Sequence, residues 1–309
     1  MKVVFMGTPD FAVPTLEAIY KKGHNIELVV TQPDRPKGRG KKLTPPDVKV
    51  TGEALGLDIF QPENINDDDS IKKLEDVQPD VIVVVAYGQI LKEEILNLPK
   101  YGCINVHGSL LPEYRGSAPI NWVIIDGKKK TGVTTMYMEK GLDTGDMLLK
   151  AETDIKDNET AGELYNRLMD MGADLLIETL DGLENGTINR VPQDESKASY
   201  AKMMDKSLGK INWNDRAENI KNLVRGTQPW PGSFTKYKDK KIKIFKVEVC
   251  RKFKDGENGK VVKVDDTGIY VNTKDSCIVI KRLQFPGKKR MDVKDYLKGN
   301  QFAEGIVLS

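Results

Sequence analysis

Residues 81–86 read VIVVVA, an apolar run in which no polar residue alternates with the apolar ones. Central strands of parallel sheets have this pattern because both of their faces are covered. Two other apolar, β-branched runs, at 2–6 and 26–31, enclose a stretch at 11–22 whose apolar residues recur at helical spacing. This alternation of strands and helices predicts an α/β fold with an open, Rossmann-like, doubly wound and mostly parallel sheet.

The same pattern extends to about residue 189. It predicts three further strands and one long helix, at 102–106, 131–138, 147–154 and 160–183. Residues 190–207 are polar and lose this periodicity, which is typical of a segment that connects two domains. We therefore expect a first domain at 1–189 and a linker at 190–207.

From residue 208 onward the pattern changes to a short helix followed by short strands. The segments KIKIFKVEV, GKVVKV, GIYVNT and CIVIKRL mix apolar and polar residues at strand spacing, and turn-forming segments separate them. Short strands of this kind predict a small β-barrel with Greek-key connections. We expect this second domain to span residues 208–309.

The two predicted domains differ in charge, although the whole chain has a net charge of only +2. Residues 1–205 hold 24 Lys and Arg against 34 Asp and Glu, whereas residues 206–309 hold 24 against 12. Within the acidic part, the segment 31–49 reverses the sign, with six basic residues against two acidic ones. Such separation favours contact with a polyanion. The alternative is a solvated basic surface without a partner.

Several classes of protein are disfavoured. No run approaches the roughly 18 apolar residues of a membrane-spanning helix, and the amino terminus lacks the apolar stretch of a secretory signal. Three cysteines without a CxxC pair and two histidines do not make a zinc motif. We therefore expect a cytoplasmic protein with no membrane partner, no metal and reduced thiols, and we expect a monomer.

The loop GTPDFA at 7–12 follows the first strand, where a dinucleotide-binding fold has its GxGxxG. Only Gly7 is present, so no second glycine lets a pyrophosphate approach the backbone. A nicotinamide or flavin dinucleotide is therefore disfavoured, and a tight strand-to-helix turn with a structural Asp10 explains the loop better.

The segment CINVHGSLLPEYRGSAPINW at 103–122 places polar residues where a strand ends. Since side chains alternate along a strand, Asn105 and His107 should project to the same side, at the carboxyl edge where open α/β sheets hold their ligands. An amide donor beside a proton carrier can stabilise an oxyanion and move one proton. A histidine satisfied within the core would have the same spacing, and the spacing does not decide between the two interpretations.

Two neighbouring segments could complete such a site. Residues 108–112 (GSLLP) offer backbone amides and apolar side chains, which suits a flat heteroaromatic ring, although a structural loop would look similar. The cluster EKGLDTGDM at 139–147 supplies carboxylates, one of which could orient the histidine. The sequence does not choose among its three acids, Glu139, Asp143 and Asp146. A serine hydrolase is disfavoured because Ser109 lacks a GxSxG context.

Several motifs are shared with a known family: the opening FMGTPDFAVPTL, the QPDRPKGRGKK loop, NVHGSLLP followed by RGSAPI, and GLDTGD. Through them the chain resembles the methionyl-tRNA formyltransferases, and the likeness runs through both domains. The NVH, SLLP and DTGD elements are shared with other formyltetrahydrofolate-using enzymes, so they indicate the reaction class, whereas the basic loop indicates the acceptor. The resemblance implies a Rossmann-like domain that binds 10-formyltetrahydrofolate and an OB-like β-barrel domain that helps to hold initiator tRNA.

The resemblance also assigns residues. It implies that Asn105, His107 and Asp143 form the catalytic group. The folate site would be lined by Ser109, Leu110, Leu111 and Pro112, and the tRNA acceptor stem would be bound by Arg35, Lys37, Arg39, Lys41 and Lys42.

The implied reaction transfers a formyl group from 10-formyltetrahydrofolate to the α-amino group of methionyl initiator tRNA, for translation initiation. Two alternatives share the first domain. One is a formyltransferase acting on a small amine such as an amino sugar nucleotide, and the other is a formyltetrahydrofolate hydrolase. Neither explains the basic loop well.

Overall fold

The computed structural model describes residues 1–38, 40–250 and 256–309. The chain forms two compact units. The first consists of Met1–Pro119, Lys130–Thr153 and Tyr165–Ala201, and the second of Ile120–Lys129, Asp154–Leu164 and Lys202–Ser309. The last change of unit, after Ala201, falls within the polar segment 190–207, whereas the two internal segments of the second unit have no signature in the sequence.

Between residues 1 and 201 the chain alternates strands with helices. The strands are β1 (Lys2–Gly7), β2 (Asn25–Val30), β3 (Arg35–Lys37), β4 (Lys42–Thr44), β5 (Ile59–Phe60), β6 (Val81–Val85), β7 (Cys103–His107), β8 (Arg115–Gly116), β9 (Lys130–Tyr137), β10 (Met147–Asp154) and β11 (Tyr200–Ala201). The helices are α1 (Val13–Lys21), α2 (Asp47–Ala54), α3 (Asp68–Val77), α4 (Glu93–Leu96), α5 (Pro119–Ile125) and α6 (Ala161–Glu184), with 3₁₀ helices at Asp10–Ala12 and Glu195–Lys197.

The first unit is built on a sheet with the strand order β10-β9-β7-β6-β1-β2-β5. Neighbouring strands from β7 to β5 are parallel, and β9 joins β7 in antiparallel orientation. All residues of β6, and all but the first of β1, are buried. Apolar residues on both faces are expected of central strands that have layers on either side. The mostly parallel α/β sheet that the sequence predicts is confirmed.

The second unit contains an antiparallel sheet, as the sequence predicts. Beyond residue 201 its elements are α7 (Ala217–Gly226), β12 (Ser233–Tyr237), β13 (Lys240–Cys250), β14 (Val261–Asp265), β15 (Gly268–Asn272), β16 (Cys277–Gln284), β17 (Met291–Asp292) and α8 (Val293–Leu297). The strand order is β12-β13-β16-β15-β14, and β17 pairs with β16. In β13, Ile242 and Ile244 are buried in a core that includes Trp213, whereas Lys241 and Lys243 are exposed. Alternation therefore gives this strand one apolar face and one basic face.

No helix in the part of the chain that the structure describes is both long and apolar enough to span a bilayer. Across residues 1–38, 40–250 and 256–309, no group of three or more His, Cys, Asp or Glu side chains is arranged to hold a metal ion. Cys103, Cys250 and Cys277 carry free thiols.

Candidate active site

Asn105 and His107 project from β7 near the carboxyl ends of the parallel strands. Asn105 pairs with Val84 of β6 and with Met136 of β9, and His107 lies two residues further along β7. Residues two apart on a strand share one face, and both side chains approach the same carboxylate, that of Asp143. The structure therefore brings the two polar residues together.

The carboxylate of Asp143 has three neighbours. Its Oδ1 accepts a hydrogen bond from Asn105 Nδ2 at 3.4 Å, and its Oδ2 lies 3.7 Å from His107 Nδ1. The backbone amide of Gly116 donates to Oδ2 at 2.7 Å. Hydrogen bonds of this kind stabilise the charged form of a carboxylate and hold it in one orientation.

The structure also distinguishes Asp143 from the other two acids of the 139–147 cluster. Glu139 is exposed, and Asp146 pairs with Arg190 at 3.2 Å. Asp143 is thus the acid of this cluster that approaches His107, a choice that the spacing of the sequence leaves open.

The backbone of the loop between β9 and β10 has an unusual conformation at Asp143. Its φ of 53° lies in the left-handed region, which is unfavourable for a residue with a Cβ atom. Two residues later, a Cβ at Gly145 would overlap the carbonyl oxygen of Tyr137, so only glycine fits this close approach. The DTG sequence therefore has a steric basis: the glycine lets the loop pass close to the end of β9, at Tyr137, two residues after Asp143.

The two ring nitrogens of His107 have different partners. Nε2 lies 2.9 Å from the backbone carbonyl oxygen of Tyr114, and because a carbonyl oxygen only accepts, Nε2 carries the hydrogen. Nδ1 then has a free lone pair in the neutral ring, since 3.7 Å to Asp143 is too long for a direct hydrogen bond. Nδ1 is therefore the nitrogen that can take up a proton. The resulting imidazolium would lie between a carbonyl oxygen and a carboxylate, both of which stabilise positive charge.

Burial strengthens the electrostatic interaction between His107 and Asp143. The side chains of His107 and Asp143 are only 7% and 13% exposed. Charges that are shielded from water in this way interact more strongly than charges on the surface. The arrangement can donate a hydrogen bond from Asn105 and carry one proton on His107, next to a fixed negative charge.

The loop after β7 uses most of its polar groups internally. The Ser109 hydroxyl is buried and donates to the Glu113 carbonyl at 2.6 Å. Thr134 Oγ1 donates to the Ser109 carbonyl at 2.7 Å and accepts from the Leu111 amide at 3.2 Å. The amide of Ser109 donates to the His107 carbonyl at 2.9 Å. Two backbone amides that the sequence suggests are free for a ligand, those of Ser109 and Leu111, are therefore already used.

The apolar side chains of the same loop divide into two classes. Leu111 is 1% exposed and packs with Met136 and Met147 in a small core cluster. Leu110 and Pro112 are partly exposed. Of the four residues assigned to the folate site, Leu110 and Pro112 therefore present side-chain surface, whereas Ser109 and Leu111 support the loop from within.

The basic segment 31–49 forms a small hairpin that the sequence does not predict. Strands β3 and β4 pair in antiparallel register, with Arg35 opposite Thr44 and Lys37 opposite Lys42. The side chains of Lys37, Lys41 and Lys42 are exposed. Arg35 is exposed as well and pairs with Glu63 at 2.7 Å. Arg39 lies outside the described residues.

Gln193 contacts the turn that carries Asp143, and Arg115 contacts Gln193 in turn; the sequence pattern predicts neither contact. Gln193 Nε2 donates to the carbonyl oxygen of Asp143 at 2.7 Å and to that of Gly145 at 2.8 Å. Arg115 is fully buried and donates to Gln193 Oε1. Gln193 lies in the segment that the sequence assigns to a linker, where a polar residue without periodicity carries no signal of a specific contact.

Comparisons with known proteins show the family to which the chain belongs. Residues 1–180 match the family model described as formyl transferase, and residues 203–301 match the formyl transferase C-terminal domain. The methionyl-tRNA formyltransferase of Clostridium acetobutylicum is 52% identical over 309 residues, which cover 100% of this chain and 99% of that protein. The methionyl-tRNA formyltransferase of Alkaliphilus metalliredigens is 53% identical over 308 residues, covering 100% and 98%.

Among solved structures, the chain is similar to the N-formyltransferase from Helicobacter canadensis in complex with folinic acid and dTDP-3-aminofucose. The TM-score is 0.70 at 19% identity, and the match covers 94% of this chain and 100% of that one. At this identity the likeness concerns the fold alone. The full-length match to the two bacterial relatives and the two family models show that the chain belongs to the methionyl-tRNA formyltransferase family.

Proposed function

We propose that the chain transfers a formyl group from 10-formyltetrahydrofolate to the α-amino group of methionyl initiator tRNA, the step that prepares this tRNA for translation initiation. The observation that carries the proposal is the contact of one carboxylate, that of Asp143, with both Asn105 and His107. The full-length match to named methionyl-tRNA formyltransferases supports the choice of substrates. Since charged initiator tRNA is used in the cytoplasm, the reaction belongs there. All three residues come from one chain, so a monomer suffices for the chemistry.

The proposed chemistry is direct transfer without a covalent enzyme intermediate. The neutral amine attacks the formyl carbon, a new carbon–nitrogen bond forms, and the carbonyl oxygen becomes a tetrahedral oxyanion. An α-amino group has an ordinary pKa of about 7.7 to 8.0, so a useful fraction is neutral near pH 7. The amine therefore needs only modest help from a base.

In this proposal Asn105 stabilises the oxyanion and His107 transfers the proton. Asn105 Nδ2 donates a hydrogen bond to the oxyanion, because only one of its two hydrogens points toward Asp143. Nδ1 of His107 takes the proton that the amine releases and returns it to the folate nitrogen as the old carbon–nitrogen bond breaks. Asp143 stabilises the imidazolium during this interval. The proton lost by the amine thus ends on the folate nitrogen, and the His107 ring is neutral again.

The formyl donor is proposed to bind against the loop after β7. Leu110 and Pro112 present partly exposed apolar surface there, next to the residues of the catalytic group. Apolar contacts with a few placed polar groups are typical of sites for flat heteroaromatic ligands. Ser109 and Leu111 contribute to the proposed site by holding the loop in shape, through the contacts with Glu113 and Thr134.

The acceptor is proposed to bind the hairpin formed by β3 and β4. Lys37 and Lys42 are directly opposite each other in the hairpin, and like charges in this position destabilise an isolated pair of strands. An approaching phosphate removes that repulsion and releases counterions, which favours binding. The charge pattern of the hairpin, including Arg35 and Lys41, therefore fits an RNA backbone, and the sequence adds Arg39 to the same basic segment.

The second unit presents a further basic surface, on the outer face of β12 and β13. Lys236 lies opposite Lys241, and Phe234 lies opposite Lys243. The ammonium nitrogen of Lys241 is 3.3 Å from the centre of the Phe234 ring. Exposed lysines interleaved with an aromatic ring are typical of nucleic-acid surfaces, where phosphates and bases are both contacted. This face is the proposed tRNA contact of the second unit.

The two alternative acceptors are not favoured. The sugar N-formyltransferase structure matches at 19% identity, whereas the methionyl-tRNA formyltransferase of Clostridium acetobutylicum matches at 52% over the full chain. Neither an amino sugar nucleotide nor water accounts for two basic surfaces. The test is a formyl-transfer assay with labelled 10-formyltetrahydrofolate and, in separate reactions, charged initiator tRNA, an amino sugar nucleotide or buffer alone. Transfer to the sugar, or release of labelled formate without acceptor, in place of transfer to tRNA would overturn the proposal.

Affinity for tRNA should depend on Lys42 and on salt. Lys42→Ala is expected to weaken tRNA binding and to reduce the slope of log Kd against log salt concentration by about one, because one phosphate contact is lost. The KM for the formyl donor should stay unchanged. Binding is measured by filter retention or fluorescence anisotropy over a range of KCl concentrations.

Lys72→Ala is the matched control, since Lys72 is an exposed lysine on α3 and loses the same charge. It should leave both the affinity and the slope at wild-type values. Arg39→Ala, made in parallel, should likewise impair use of the acceptor more than binding of the donor. Binding that does not respond to salt, or equal losses with Lys42→Ala and Lys72→Ala, would contradict the assignment of the hairpin.

A further inference from the structure

We propose that Gln193 is a positioning residue for formyl transfer, whose side-chain amide holds the turn that presents the Asp143 carboxylate to Asn105 and His107. The inference rests on the proposed function of these three residues. It assigns an active-site role to residues 193–201, a segment that by sequence alone only connects two domains.

The contact of Gln193 with the turn is bidentate. Its Nε2 donates to the carbonyl oxygen of Asp143 at 2.7 Å and to that of Gly145 at 2.8 Å. Both hydrogens of one amide group are therefore used on the same turn. Asp143 has the left-handed φ of 53°, a conformation that persists only where surrounding contacts impose it. The two hydrogen bonds from Gln193 are contacts of that kind.

The opposite end of the Gln193 amide is fixed by Arg115. Gln193 Oε1 accepts from Arg115 Nε at 3.1 Å and from Nη2 at 2.9 Å. Arg115 is fully buried and is held in turn by Glu195, at 3.0 and 2.6 Å. Because a guanidinium group only donates, Oε1 must face it and Nε2 must face the turn. The buried arginine therefore determines which way the glutamine amide points.

The same segment also supports the other partner of His107. Ser199 Oγ accepts from the Tyr114 amide at 2.9 Å, and the carbonyl of Tyr114 is the group bonded to His107 Nε2. The pairing of β8 with β11 fixes Gly116, whose amide donates to Asp143 Oδ2. Residues 193–201 thus hold the groups on both sides of the imidazole, and Gln193 is the member that reaches the Asp143 turn directly.

Gln193→Glu keeps the contact with Arg115 and removes the contact with the Asp143 turn. The carboxylate still accepts from Arg115, but it has no hydrogen to donate to the carbonyl oxygens of Asp143 and Gly145, and it repels them. The turn should shift and carry the Asp143 carboxylate away from His107. A displacement of about 1 Å in a catalytic constellation costs about 100-fold in rate, so kcat should fall by about 10- to 100-fold. The KM values for the formyl donor and for tRNA should change little, because both ends of the Gln193 amide are hydrogen-bonded within the protein.

Gln228→Glu is the matched control. Gln228 lies in the second unit, and its Nε2 also donates to two backbone carbonyls, those of Val224 and Phe245, both at 2.8 Å. The same substitution therefore removes the same kind of contact and should carry a similar cost in folding, but kcat should stay at the wild-type value. Gln193→Met, which is uncharged and similar in length, provides a second test if Gln193→Glu does not fold.

The deciding experiment is a double-mutant cycle with Asp143→Asn, measured as kcat for tRNA formylation with thermal unfolding recorded for each variant. If Gln193 acts through Asp143, its substitution should lower kcat in the wild-type background and have little further effect in the Asp143→Asn background. Wild-type kcat in Gln193→Glu and Gln193→Met, or an equal loss in both backgrounds, would overturn the inference. Wild-type kcat in Asp143→Asn would instead overturn the proposed catalytic group, so the two failures are distinguishable.

Discussion

His107→Gln is expected to lower kcat by about 100- to 10,000-fold, the range that one well-placed acid–base group contributes. The glutamine amide nitrogen can still donate to the carbonyl of Tyr114, which His107 Nε2 contacts at 2.9 Å. It cannot take up a proton at the position of Nδ1, beside Asp143. The substitution therefore removes proton transfer while it preserves most of the local hydrogen bonding.

The measurement is single-turnover formylation of charged initiator tRNA, since it reports the chemical step separately from product release. The chain contains only two histidines, so His24→Gln is the natural control. His24 lies between α1 and β2, where its charged neighbours are the amino terminus, Glu184, Asp181 and Lys22 and not the residues of the catalytic group. His24→Gln should keep the wild-type rate. A rate within a few fold of wild type in His107→Gln, in a protein that is folded, would exclude His107 as the proton carrier.

Asn105→Ala is expected to lower kcat by about 100- to 1,000-fold, which is the usual effect of losing one oxyanion donor. Asn105 is the neutral donor of the group, and its Nδ2 is 3.4 Å from Asp143 Oδ1. Without the amide, the negative charge that develops on the formyl oxygen loses the hydrogen bond that the proposed mechanism assigns to it. The loss should appear in kcat, because the hydrogen bond strengthens only as the oxyanion forms.

The formylation rate of Asn105→Ala should be compared with that of Asn25→Ala. Asn25 is an exposed asparagine at the start of β2, where its side chain donates to Glu27. This control tests whether the substitution as such affects the fold, and its rate should match wild type. An effect of Asn105→Ala that is confined to KM for tRNA would contradict a role in the transition state and would assign Asn105 to acceptor binding.

The α/β sheet was predictable because burial leaves a local signature in the sequence. All five residues of β6 are apolar and buried, and they were recognisable as a central strand from the letters VIVVV. The same is true of β13, where buried isoleucines alternate with exposed lysines. The common face of Asn105 and His107 follows from a strand period of two, which needs no knowledge of the rest of the chain.

The choice of Asp143 among three acids could not be made from this local pattern. It depends on a left-handed backbone at Asp143 and on the amide of Gly116, which is 27 residues away in the sequence. From the sequence, only the resemblance to the formyltransferase family selects Asp143. Long-range contacts of this kind leave no periodic trace, so spacing alone treats Glu139, Asp143 and Asp146 alike.

The interior of the loop after β7 shows the same limit. The motif GSLLP suggests free polar groups, but Thr134 on β9 uses the carbonyl of Ser109 and the amide of Leu111. The partner strand lies more than twenty residues further along the chain, and its register with β7 places the hydroxyl there. Which groups of the loop remain free for a ligand therefore depends on strand pairing.

The amino-acid sequence by itself determined the two-unit α/β and antiparallel β organisation, the strand that carries Asn105 and His107, and the charge separation that favours a polyanion, because periodicity and composition are local properties. Only the tertiary structure decided that Nε2 of His107 lies against the Tyr114 carbonyl and that Gln193 is bonded both to the Asp143 turn and to a buried Arg115. Such contacts join residues tens of positions apart. These contacts form only after the sheet has brought the backbones of the two residues together. In the sequence, a polar residue that makes such a contact cannot be distinguished from a polar residue exposed to water.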